Sequence, residues 1–185
     1  MTFSPEQARV AALAVLYDAR TTAELADAAG MLPGSDRIPH GGDLHAGILL
    51  VKGLPGPAEE TGAPVLSGPD GDAALRALGA LGVGGAYCAV LSRPGAASDE
   101  RAVAMRLRHM IESIDPWCVI ALDGVAALDV SQALGCPTPD FGVPVRVTGR
   151  SVVAVDGLEA SLTDPIRKKR VWSHLKAVAL RAPLW

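Results

Sequence analysis

Aromatic side chains are scarce in this chain: two phenylalanines, two tyrosines and three tryptophans among 185 residues. A pocket that recognises a flat ring by stacking has few residues to draw on. Cysteine is scarce too. Cys88, Cys118 and Cys136 are odd in number and have no C-x-x-C spacing, which excludes a disulfide framework and a zinc site and reads as buried, reduced thiols. No apolar run approaches the ~20 residues of a membrane-spanning helix. The opening MTFSPEQARV lacks the basic-then-apolar order of a secretory signal. The expectation is a cytoplasmic protein with no membrane partner. Positive charge is not in excess either. The net charge of −3 argues against a strongly nucleic-acid-binding surface while leaving room for a local basic patch.

Familiar chemical signatures are missing as well. GLPGPAEETG lacks the spacing of a phosphate-binding P-loop, no G-x-G-x-x-G follows a strand, although GVGG at 82–85 precedes one, and no serine nucleophile elbow occurs. His40, His45, His109 and His174 are scattered over a loop, a strand start and helices, so they read as surface or structural residues with no metal site.

What is present is aliphatic. Apolar residues make up 49% of the chain and charged residues 20%, proportions of a globular protein long enough for one well-cored domain over residues 1–185. Ser4-Pro5-Glu6-Gln7 is a helix start with a capping box, predicting a helix to about Asp18. Thr22 then opens a short second helix ending near Gly30, so residues 1–30 form N-terminal helices packed on the domain. A Pro/Gly-rich loop covers 31–43. HAGILLV, AYCAVLS and PWCVIAL read as buried strands, and VPVRV-TGR-SVVAV as a hairpin whose second arm is a fourth. Helices are predicted over 70–82, with Leu75, Leu78 and Leu81 on one face, from Ser98 or Asp99 to Ile114, over 124–134 capped by Asp123, and from Arg167 to Leu180. Continuous apolar strands alternating with helices predict a three-layer α/β/α sandwich around a central four-stranded parallel sheet. Ligands of such sheets sit at the carboxyl ends of the strands, here 52–62, 91–95, 123–124 and 156–162.

Four segments in order carry a resemblance. VKGLPGPAEETGAPV (51–65) runs from a strand through a Gly/Pro loop and acidic residues to a Thr-Gly turn. YCAVLSRP (87–94) is a Tyr-led strand ending in Arg-Pro. PWCVIALDGVAAL (116–128) is a strand entering a helix, and VDGLEASLTDPIRKKRVWSHL (155–175) is a loop leading to a basic helix with Trp. Together they resemble the uracil-DNA glycosylase superfamily, and most closely its iron–sulfur class of bacterial and archaeal enzymes. The likeness spans roughly residues 21–178. It implies that fold, a base pocket around Gly53, Leu54, Val65, Cys88 and Gly157, and DNA phosphate contacts through Arg167, Lys168, Lys169 and Arg170.

The working residues depart from the pattern. The family's water-positioning Glu aligns with Gly53, its stacking Phe with Val65, its base-reading Asn with Cys88 or Ala89, and its His with Gly157. Ser92 occupies a cluster-cysteine position, so no cofactor is expected. Cleaving a glycosidic bond needs a carboxylate or positioned water on one side and a hydrogen-bond donor on the other, and a flipped base needs a stacking wall. The residues at these positions supply none of these. Lys52, Asp123, Asp156, Glu59 and Glu60 are the candidates for a relocated acid/base site. The alternative is structural: Asp123 caps its helix and Lys52 pairs with Asp156, filling the vacated pocket. The implied reading is a glycosylase-like protein inactive as a uracil glycosylase. It would be a non-catalytic module whose partner is DNA, bound weakly and salt-sensitively, or another protein. The rival is a divergent base-excision hydrolase.

Overall fold

The computed structural model describes residues 4–83, 86–95 and 99–179. Among them are six α-helices and a six-stranded mixed sheet in the order β1-β3-β2-β4-β6-β5. The strands are β1 (Gly41–Gly42), β2 (Ile48–Lys52), β3 (Cys88–Leu91), β4 (Cys118–Ala121), β5 (Val145–Val147) and β6 (Arg150–Ala154). Strands β3, β2, β4 and β6 pair in parallel, while β1 and β5 add antiparallel edges. The sheet is thus wider than its central parallel strands: β5 is the first arm of the expected hairpin, and β1 adds a two-residue edge too short to read from sequence. Thr148 and Gly149, both at positive φ, make the two-residue turn that matches the twist of the β5–β6 hairpin.

Every residue of β2, β3, β4 and β6 is buried, as a sheet covered on both faces requires. Alternate side chains feed two cores. Leu49, Val51, Val90, Val119 and Val152 pack with α1 (Pro5–Gly30), α4 (Glu100–Ile114) and α5 (Gly124–Leu134). Ile48, Leu50, Leu91, Ile120 and Val153 pack with α3 (Pro69–Ala80) and α6 (Pro165–Ala179). The remaining helix, α2 (Pro57–Glu60), is a single turn in the loop after β2.

Three expectations change. The two N-terminal helices are one helix of 26 residues. No Gly or Pro interrupts it between Pro5 and Gly30, and Thr22 stays inside the hydrogen-bonded ladder rather than capping a new start. It is anchored from Tyr17 onward, with Thr21 and Ala28 buried and the Tyr17 hydroxyl donating to Ile114 O at 2.9 Å, whereas Val10, Leu13, Val15 and Leu16 are exposed. The buried face of α3 is Gly71, Ala74 and Leu78, leaving Leu75 exposed, because Leu66 O approaches Gly71 too closely for a side chain there. The closing helix starts at Pro165, two residues earlier than expected, with Asp164 accepting from the Ile166 and Arg167 amides. Ser98, Leu180 and the last two glycines of GVGG lie outside the described residues.

Candidate functional site

The carboxyl end of β2 delivers Lys52 into a nest of acids. Its Nζ lies 2.8 Å from Asp70 Oδ2, 3.2 Å from each Glu59 oxygen and 3.1 Å from Glu159 Oε2. Lys52, Glu59 and Asp70 are buried, while the Glu159 side chain is half-exposed. Glu59 is bonded further. Its Oε2 accepts from Gly56 N and its Oε1 from Leu66 N, each at 3.0 Å, so this carboxylate staples both ends of the loop around α2. Gly56 is glycine for contact reasons: a Cβ there would lie 2.9 Å from Lys52 Nζ and 2.9 Å from Glu159 Oε1.

The charge states follow. Burial alone would lower the Lys52 pKa, but the hydrogen bonds it donates to Asp70 and Glu159 outweigh it and hold the ammonium above its ordinary range. Burial alone would raise Glu59, but the Leu66 amide, with Lys52, keeps this carboxyl below its usual value. A lysine held protonated by three carboxylates is no base and no nucleophile. A carboxylate saturated by two amides and an ammonium is no general acid.

The other candidates are placed as follows. Asp123 caps α5 by accepting from Ala126 N at 2.8 Å, and its second oxygen accepts from Gly53 N at 2.9 Å. Asp156 pairs with Arg170 at 2.6 Å and not with Lys52, correcting the expected Lys52–Asp156 bridge. Glu60 is exposed and outside the nest. Its neighbour Glu59 faces inward instead, because successive residues of one helical turn point about 100° apart. Asp70 and Glu159, which complete the nest, were not singled out by sequence. The available signal was electrostatic: a lysine ending a fully buried strand must meet opposite charge.

A groove of about 660 Å³ lies over this edge, lined by Lys52, Asp70, Asp123 and Glu159 with Leu54, Leu122 and Gly157 among others. Of the base-pocket positions, Leu54 and Gly157 therefore reach the groove. Val65 is buried in the core under α3 and α6, and Cys88 sits at the amino end of β3, in the opposite core. Gly53 is wedged against α5, where a Cβ would lie 2.5 Å from Asp123 Oδ1 and 2.7 Å from Val125 Cβ. Gly157 differs: a Cβ there meets only ordinary contacts, but its φ of +73° strains any other residue.

A second network closes the end of β3. The Ser92 hydroxyl donates to Asp129 Oδ2 at 2.6 Å, and Arg93 forks onto the same carboxylate from Nε and Nη2, the latter at 2.6 Å. Asp129 is fully buried, and its hydrogen bonds hold Arg93 above its ordinary pKa. Ser92 thus serves as a strand-end tie. The cysteines do not fit an iron–sulfur cluster. Cys88 and Cys118 lie on strands separated by β2, with thiols pushed by burial to about 12, and Cys136 follows α5.

Of the basic run, Arg170 is engaged by Asp156. Lys168 and Lys169 are exposed and line a groove of about 520 Å³ with Arg76 and Trp172. The helix end they would offer a phosphate already carries Asp164, whose carboxyl the Arg167 and Ile166 amides hold below its usual range.

No protein-family model matches this chain, and no curated protein matches it. Among the described residues no helix is long and apolar enough to cross a membrane.

Proposed function

We propose that this chain is a uracil-DNA glycosylase-like protein that no longer excises bases and acts as a non-catalytic DNA-binding or interaction module linked to DNA repair. The observation that carries the reading is the occupancy of Lys52. The residues best placed to take over acid–base chemistry are bonded to one another, and Asp123 is spent on a helix cap and the Gly53 amide. The groove above them keeps a small apolar volume but presents Asp70, Asp123 and Glu159 against one lysine, a floor that repels a phosphodiester. DNA contact is therefore assigned away from this edge, to Lys168 and Lys169, neither of which has an ion pair among the described residues.

The test is a base-excision assay at high protein concentration. Single- and double-stranded oligonucleotides carrying uracil, hypoxanthine, xanthine or an oxidised base are treated, and abasic sites are read by alkaline cleavage. No excision is expected on any of them. Affinity for the same undamaged strands should fall with salt at a log–log slope of about one per phosphate contact, and the slope should flatten in Lys168→Gln/Lys169→Gln. Undetectable binding at low ionic strength removes DNA as the partner and leaves the interaction module.

A second reading, the divergent hydrolase, has one observation in its favour. Glu159 is half-exposed, holds only Lys52 among the described residues, and borders the groove. Excision that disappears in Glu159→Gln would establish it in place of the first reading.

A further inference from the structure

The end of β3 contains a cation that no carboxylate among the described residues neutralises. Arg106 on α4 is buried, and its Nη1 donates to Leu91 O at 2.7 Å and to Ser92 O at 3.3 Å. Its Nε is shielded from solvent and has no partner, and no carboxylate pairs with the guanidinium among the described residues. Isolated buried charge is among the costliest features a fold can carry, and buried charges are normally paired. Desolvation lowers the Arg106 pKa to about 10, so the side chain is still a cation at neutral pH.

Beside it lies a cavity of about 180 Å³, walled by the second half of α1, the 35–40 loop, the end of β3 and Arg106 with Met110 of α4. Ser35, another wall residue, is also buried with its hydroxyl unpartnered, and His40 adds an imidazole whose pKa burial lowers. Asp36 is the single carboxylate among the lining residues, and it is exposed. Leu25, Ile38 and Val90 make up much of the remaining wall.

We propose that this cavity is a binding site for a small anion, a carboxylate or oxyanion no larger than phosphate, held by the Arg106 guanidinium and the Ser35 hydroxyl. The pairing is chemically specific. The Nε–Nη2 edge of a guanidinium takes two oxygens of one carboxylate or phosphate side by side, and here that edge makes no hydrogen bond within the described protein. A water has roughly 30 Å³ of liquid volume, so the cavity admits an ion of several heavy atoms and excludes a nucleotide. The site is separate from the Lys52 groove and stands whether or not the chain touches DNA.

The experiment titrates the full chain with sodium phosphate and sodium formate against chloride at constant ionic strength. Melting temperature and calorimetry are followed, and amide NMR shifts locate the effect. A saturable rise in Tm with phosphate or formate is expected, with shifts at Ser35, His40 and Arg106. Arg106→Met should abolish saturable binding. Ser35→Ala, which leaves the guanidinium in place, should weaken it about fivefold. Lys168→Gln/Lys169→Gln should leave the affinity unchanged. Should Arg106→Met fail to fold, Arg106→Lys and Ser35→Ala decide, both expected weaker than wild type. Stabilisation without saturation, equal affinity in Ser35→Ala, or loss in the Lys168/Lys169 variant would each overturn the site.

Discussion

Two buried cations serve adjacent strand ends of one sheet, and they are treated in opposite ways. Lys52 ends β2 and meets Glu59, Asp70 and Glu159, so its charge is over-compensated and its proton held more tightly than in water. Arg106 braces the end of β3 and meets only carbonyl oxygens, so burial loosens its proton. The first arrangement is closed: every member satisfies another, and little is left to act on a ligand. The second is open, a charge that pays its desolvation with two carbonyl oxygens and no carboxylate among the described residues. A strand end can hold a buried cation either way, and only the open arrangement leaves a guanidinium edge without a carboxylate among the described residues.

Removing the closed cation should have the largest effect. Lys52→Met leaves three carboxylates converging with no counter-charge and should destabilise the chain by about 3–5 kcal/mol in chemical denaturation. A loss below about 1 kcal/mol would mean that the nest is loosely solvated and the contrast with Arg106 is false. Glu59→Gln keeps the shape of the staple but turns an NH2 donor against one of the Leu66 and Gly56 N–H groups and should cost about 2 kcal/mol. Arg106→Met should cost less, about 1–2 kcal/mol, since the lost carbonyl bonds are offset by relief of an unpaired charge. If it costs as much as Lys52→Met, the guanidinium is already compensated by something bound, and repeating the measurement after exhaustive anion exchange would expose it.

The smallest effect is that of pH. Glu59 has a folded pKa below its ordinary 4.5, so its contribution is complete above that value and lost as pH falls through the folded one. Lys52, raised above 10.5, contributes fully below that pH and loses its share only when pH rises past its folded value. The melting temperature of the wild type should therefore drop below pH 4.5 more steeply than that of Glu59→Gln, and the two should run parallel from pH 6 to 9.

Much of the frame was legible because it depends on local rules. The four buried runs became strands, Asp123 became a cap, and the Thr148-Gly149 turn made the hairpin. The α1 break was misread because Thr is a cap signal only where the ladder actually stops, and nothing stops it there. The nest was half legible. Lys52 and Glu59 were named, but Asp70 resembled a helix-start residue and Glu159 a loop acid, and only the fold, which sets the start of α3 and the loop after β6 beside the end of β2, brings them to one ammonium. Arg106 carried no sequence signal, since on a helix surface it is indistinguishable from its exposed neighbours Arg101 and Arg108.

The crowding at Gly53 bears on which side chains this position can accept. An acid at this position would have to displace the Asp123 carboxylate that caps α5 and the Val125 side chain behind it. The cap in turn uses the Gly53 amide, so each residue now holds the other in place. A carboxylate-bearing side chain placed at Gly53 would meet a helix terminus already settled into the space it needs. The loop can accept such a residue only in concert with its neighbour, so the two positions can change together but not one at a time.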